Sequence, residues 1–362
     1  MRTFTMIGNW TQTPLLERFA SGMRNKMEEN GYRFEAEPKS DIQLVFNFVD
    51  PQQPQYFRRN GKGTFVLTIA ESNLTTDNIL YTAYPILVRS LGNMMIYIDR
   101  SSVPHHTYFI TLEQGCYPTS SNEADPNYFD EVFSRIEPLA TAQLVIDNKF
   151  IADLPQDLWS GDHITQSLHN AGKMLDQMNL LPTPFPIDQL LSPKELRHIK
   201  RLYGIGGLSY GNLSARKEGN HFWMSASGVN KSSLKEIGRD ILYIRGFNEK
   251  DLAMEISIPP HVSPRRASVD AIEHWMIYNE HPEVGAIVHI HAWMDGVPST
   301  EINYPCGTVQ LAEAVAEQIR KAEDPSRAVV GLKNHGLTIT GRNLEDIFER
   351  IEGRILPQVP MS

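Results

Sequence analysis

Gly285-Ala286-Ile287-Val288-His289-Ile290-His291 is an apolar run that ends in two histidines one residue apart. In a strand, alternate side chains share a face, so both imidazoles can reach one cation while the apolar residues before them anchor the strand in a core. A single histidine here would read as an ordinary core residue. Two at this spacing read as ligands. A third imidazole is offered by Lys333-Asn334-His335-Gly336, set between two β-prone runs at 328–332 and 337–340. As a plain polar turn, that segment would use its glycine to supply a positive φ. Three histidines leave one coordination position open, which is how catalytic zinc sites are built.

Other segments carry polar groups suited to a small anionic ligand. Gly204 to Ser214 is glycine-rich and includes Gly211 and Asn212, so backbone amides and a side-chain amide can approach an anion closely. It fails as a dinucleotide fingerprint, because Ser209 stands at the third glycine position and the order is helix, loop, strand. Ser225-Ala226-Ser227-Gly228 ends an apolar stretch ahead of a helix-prone segment, which suits a phosphate or carboxylate and equally an ordinary turn. Asp270 stands at the head of the helical stretch 268–278. It reads either as a first-turn acid with Ser268 as N-cap, or as a general acid/base beside a metal.

Length and composition bound the rest. The chain has 362 residues, which favours two domains. With 41% apolar and 21% charged residues it is globular in composition. A formal charge of -9 argues against a general nucleic-acid or anionic-membrane binder. Cys116 and Cys306 are too few for a disulfide framework or an all-cysteine zinc site, and a reducing cytoplasm is expected. The first ten residues lack the pattern of a signal peptide, and no run reaches the ~20 apolar residues of a membrane span.

In the first part, β-prone runs at 43–48, 64–69, 94–98 and 108–112 alternate with helix-like segments at 15–29, 77–91 and 128–139, an α/β pattern. The basic run 58–63 reads as a turn between strands, because Tyr56 replaces the first glycine a phosphate loop needs. His105 and His106 are adjacent and would point to opposite faces of a strand, so they are not expected to share a metal. Pro182, Pro184 and Pro186 forbid a regular helix and mark a linker. After it, Ser192-Pro193-Lys194-Glu195 is a helix start with a capping box. The expected domains are 1–152, of no assigned chemistry, a helix and linker at 153–191, and a metal-binding domain at 192–362.

Taken in order, Gly211 to Ser214, Ser225 to Gly228, Asp270, the His289/His291 pair and Asn334-His335-Gly336 resemble the class II aldolase/adducin family over about residues 192–350. The resemblance implies a three-layer α/β/α sandwich around a mainly antiparallel sheet, preceded here by a separate α/β domain, and an oligomer, often a tetramer. It implies His289, His291 and His335 as ligands of one divalent ion per subunit, Zn2+ before Mn2+, Co2+ or Fe2+. Gly211, Asn212, Ser227, Gly228 and Ser268 match the phosphate-binding groups, and Asp270 stands where family aldolases have glutamate and family epimerases aspartate.

The stretch between His291 and Cys306 is shorter than is usual in the family, and the expected C-terminal tail with a tyrosine proton donor is missing. Glu301 and Tyr304 are weak substitutes. The function implied is a metal-dependent lyase, of aldolase or decarboxylase type, acting on a small hydroxy-carbonyl compound or sugar phosphate through a metal-stabilised enediolate. Epimerisation or dehydration on the same site is the first alternative, and a non-catalytic adducin-like scaffold the second.

Overall fold

The β-prone runs of the first part become strands because they are short, apolar and rich in β-branched and aromatic residues. In the computed structural model, residues 2–38, 42–59, 63–73, 78–180, 187–197 and 211–362 are described. The middle of the basic turn at 58–63, the proline segment 181–186 and the glycine loop at 204–210 lie outside them. By their internal contacts the residues fall into two compact units.

The first unit contains β1 (Thr3–Gly8), α1 (Pro14–Glu29), β2 (Arg33–Phe34), β3 (Leu44–Phe48), β4 (Phe65–Ser72), α2 (Ile79–Ser90), β5 (Met94–Asp99), β6 (His106–Thr111), β7 (Gly115–Pro118) and α3 (Tyr128–Thr141). Its sheet runs β2-β1-β3-β4-β5-β6-β7, parallel through β5 and antiparallel beyond. Thr13 caps α1 by accepting from the Leu16 amide at 3.2 Å, and that helix turns Phe19 and Met23 onto a core with Phe4, Phe46, Leu67 and Ile96. His105 sets Nδ1 2.8 Å from the Ser102 carbonyl oxygen while His106 opens β6 exposed.

The second unit contains β8 (Asp147–Ile151), α4 (His163–Gln177), β9 (Gly211–Glu218), β10 (His221–Ser225), β11 (Ile241–Asn248), β12 (Ala253–Ser257), α5 (Ala271–Glu280), β13 (Ala286–Ile290), α6 (Val309–Arg320), β14 (Val329–Leu332), β15 (Gly336–Gly341) and α7 (Leu344–Ile351). Its strand order is β14-β15-β13-β9-β10-β11-β12-β8. Every neighbouring pair is antiparallel except β12 and β8, which are parallel, so the sheet is mainly antiparallel, as expected, and mixed through that one edge pair.

Register separates the two faces. Asn212 and Ser214 point to α5, where they meet Asp270 and His274. Ala215 and Trp223 are paired across β9 and β10 and point the other way, where the Trp223 indole donates to Asp162, the N-cap of α4. The sheet therefore lies between two helical layers. No helix among the described residues is long and apolar enough to cross a membrane.

Two boundaries differ from the sequence expectation. β8, and α4 within the stretch read as helix and linker, belong to the second unit, because β8 pairs with β12 and α4 packs on the sheet. Asp-Asn-Lys-Phe-Ile (147–151) is a polar edge strand, and nothing in it names its partner. Conversely, the described residues 187–197 cluster with the first unit. The capping box there does form: Ser192 Oγ donates to Glu195 Oε2 at 2.7 Å and the Glu195 amide donates to Ser192 Oγ at 3.3 Å.

Candidate metal centre

β13 is a central strand, and burial of Val288 and Ile290 on the α4 side contributes about 1.5–3 kcal/mol per side chain. On the opposite side His289 lies in register with Asn212 of β9 and Thr338 of β15. Gly211 is required by this pairing, since a Cβ there would fall 2.1 Å from the His289 carbonyl oxygen. His335 arrives from the turn between β14 and β15. Asn334 carries that turn's positive φ of 60°, which the sequence reading had given to glycine. Gly336 is instead required by close approach, its Cβ position being 2.2 Å from the Ile290 carbonyl oxygen.

The turn brings His335 to the other two histidines, and one ligand nitrogen from each lies within 4.8 Å of the others. The rings of His289 and His335 stack, 5.0 Å apart and 8° from parallel, with their Nε2 atoms 3.1 Å apart. Two nitrogens on one tetrahedral zinc lie about 3.3 Å apart when each Zn–N bond is about 2.0 Å, so this spacing fits a shared cation. Burial pushes both imidazoles well below their usual range, helped by the neighbouring histidines. They are neutral near neutral pH, the form that binds a metal.

Asp270 occupies the N-cap position of α5 but makes no side-chain cap bond. Its Oδ2 accepts from Asn212 Nδ2 at 2.7 Å and from Ser268 Oγ at 3.1 Å, and lies 4.0 Å from His289 Nε2. Ser268 thus holds the carboxylate and does not cap the helix. Asp270 Oδ1 and Asn212 Oδ1 are buried without a hydrogen-bond partner, the unsatisfied acceptors a cation or a substrate hydroxyl would meet.

Ser227 and Gly228 are tied to this group through a bridge between Ala226 and Ala267, next to Ser268, and the Ser227 amide donates to the Arg266 carbonyl at 2.9 Å. The Ser227 side chain is exposed and Gly228 has φ 65°.

Lys231 is buried, its ammonium 3.4 Å and 3.5 Å from the Val229 and Ala226 carbonyl oxygens, and burial pushes it down to about 8. Arg265 and Arg266 are both exposed, and Arg266 donates to the Ile146 carbonyl at 2.9 Å. Of the substitute residues, Glu301 is exposed and Tyr304 packs on the core.

A buried polar layer beneath the histidines went unread in the sequence. From α5, Glu273 accepts from the Thr338 hydroxyl, and His274 and Tyr278 meet at Ser214 Oγ, at 2.7 Å and 2.8 Å. The spacing of Asp270, Glu273, His274 and Tyr278 (i, i+3, i+4, i+8) was the available signal, one helix face made of polar groups. Burial, then the nearby charge of Asp270, pushes Glu273 up to about 8 from an ordinary 4.5.

The folded chain therefore keeps a proton that the unfolded chain releases, so stability present below about 4.5 is lost as pH rises towards about 8. His274, pushed down to about 4 by burial, acts oppositely: its contribution is present above 6.5 and lost on acidification. Glu273→Gln should remove the alkaline-side loss alone, gaining on the order of 3 kcal/mol over the parent near pH 7. Urea unfolding of both proteins across that range checks it, and parallel pH curves would contradict it.

The class II aldolase and adducin N-terminal domain model matches residues 196–294 and 294–353. An L-fuculose phosphate aldolase from Methanocaldococcus jannaschii is 27% identical over 173 residues, 42% of this chain and 82% of that protein. A methylthioribulose-1-phosphate dehydratase from Citrobacter koseri is 24% identical over 172 residues, 40% of this chain and 78% of that one. Among solved structures, an L-fuculose 1-phosphate aldolase gives a TM-score of 0.36 at 19% identity, covering 54% of this chain and 82% of its own. Residues 196–353 of this chain thus match the class II aldolase and adducin N-terminal domain family, and the relatives found are aldolases and dehydratases by name.

Proposed function

We propose that this chain is a divalent-metal-dependent lyase acting on a small phosphorylated sugar or a related hydroxy-carbonyl compound. The observation that carries the reading is the meeting of three imidazoles from two segments beside the buried carboxylate of Asp270. His289, His291 and His335 would hold the ion, with zinc the first choice for an all-nitrogen donor set. A bound divalent cation would draw electron density from the substrate carbonyl and a neighbouring hydroxyl, easing cleavage of the adjacent bond.

Asp270 would move the proton. One of its oxygens is held by Asn212 and Ser268, and the other has no donor. Gly211, Asn212, Ser227, Gly228 and Ser268 would receive the phosphate, the bridge at Ala226 and Ala267 holding two of those segments together. Both relatives are named for phosphorylated sugars, which supports that substrate class.

The relative named as a dehydratase favours a second reading, loss of water at the same site. Incubating the zinc-loaded protein with a panel of pentulose and hexulose phosphates, followed by NMR, separates the two. Carbon–carbon cleavage into two fragments is expected, whereas a dehydrated single product would replace the lyase reading. Stoichiometric metal with no turnover of any member would remove the substrate class. Stripping the metal with a chelator should abolish turnover and lower the Tm, and zinc should restore both.

A further inference from the structure

We propose that Lys231 is the positioning residue of the phosphate subsite: from the buried side of the turn at 226–230 its ammonium holds two carbonyls, so that the amides of the turn face a phosphate, and its charge favours a phosphorylated substrate over a neutral one. The inference rests on the sugar-phosphate reading and names what gives that subsite its charge. Lys231 is 1% exposed, and its Nζ donates to the Val229 and Ala226 carbonyl oxygens at 3.4 Å and 3.5 Å. Both are long hydrogen bonds, and an ammonium has a further proton to place. No charged group among the described residues acts on it, burial alone setting its state. A buried cation without a counter-charge is unfavourable, so the site is suited to an arriving anion.

Packing fixes where the lysine stands. Its backbone lies against α4, where a Cβ on Gly172 would fall 2.2 Å from the Lys231 carbonyl oxygen. In a trans peptide the C=O and the following N–H point in opposite directions. With the Ala226 and Val229 carbonyls turned onto the ammonium, the Ser227 and Asn230 amides therefore aim away from it. The Ser227 amide is taken by the Arg266 carbonyl at 2.9 Å. Among the described residues the Gly228, Val229 and Asn230 amides donate to no acceptor, and a Cβ on Gly228 would meet nothing within 4 Å. Successive free amides next to a residue at φ 65° form a concavity that suits an anion.

A phosphate on those amides brings the counter-charge that the ammonium lacks, across a single turn of chain where little water screens the attraction. A neutral hydroxyl in the same place brings none. Lys231 itself touches no substrate atom and takes no part in bond cleavage.

Binding of inorganic phosphate to the zinc-loaded full chain, followed by calorimetry, is the test. We expect Lys231→Met, which keeps the apolar stem, to weaken phosphate by about tenfold or more with zinc content unchanged. Phosphate should raise the Tm of the parent and not of the variant, and without phosphate the variant should be no less stable, because an uncompensated buried charge has been removed. A purely structural lysine would instead lower the Tm with and without the anion. A readout that needs no variant is isotope-edited NMR of the lysine side chains in the parent, where saturating phosphate should raise the titration midpoint of the Lys231 ammonium by about one unit or more. Equal phosphate affinity in parent and variant, or a midpoint unmoved by phosphate, overturns the role of Lys231 and leaves the sugar-phosphate reading standing. No phosphate bound by the parent removes that reading, and this inference with it.

Discussion

His289→Ala is expected to abolish stoichiometric metal binding while the chain still folds. The imidazole is fully buried in the centre of the sheet, facing His335 Nε2 at 3.1 Å. Its removal would take away one proposed metal ligand and the ring that stacks on His335, leaving the half-exposed His291 and an unsupported His335. Truncating a buried side chain costs on the order of 2–5 kcal/mol, which a domain of typical stability survives when expressed at low temperature. Metal content by atomic emission after gel filtration reads the first effect, and thermal unfolding with and without zinc reads the second. Zinc should raise the Tm of the parent and not of the variant. Metal content equal to the parent's would remove His289 from the ligand set.

Asp270→Asn should leave the metal in place and reduce turnover by about a hundred- to ten-thousandfold, roughly 3–5 kcal/mol of barrier. The two side chains have the same shape, and an amide oxygen at the Oδ2 position can still accept from Asn212 and Ser268. What changes is the other position. There an amide nitrogen would replace Oδ1, the buried oxygen that has no donor and is the one free to take a proton. Because the histidines are untouched, metal content and Tm should match the parent, and KM should move little compared with kcat. Activity within tenfold of the parent would assign the proton transfer to another group, and loss of metal would make Asp270 part of the metal's own support.

Much of this was legible in the chain because it is local. Strands and helices of the first unit follow period-two and period-3.6 patterns that need no partner to be read, and the His289/His291 spacing states which face they share. The capping box at Ser192 and Glu195 is equally local, and it forms. The roles of Gly211 and Gly336 were not readable in this way. Both sit where a loop or turn meets a strand, yet what they answer to is the neighbouring backbone of His289 and Ile290, far along the chain. Lys231 shows the same limit: nothing in its sequence surroundings marks it as buried, and only packing turns its ammonium onto carbonyl oxygens.

By itself the sequence determined the element types, the two histidines on one strand face and the order of motifs that marks the family over residues 196–353. The tertiary structure alone decided that His335 reaches His289, that Glu273 and His274 are sealed beneath them, that Cys306 lies against His335, and that β8 closes the second sheet. Periodicity encodes which way a side chain points along its own element, but not which strand lies beside it. Register and packing between distant segments are set by the whole core at once, and those are what bring the chemistry together.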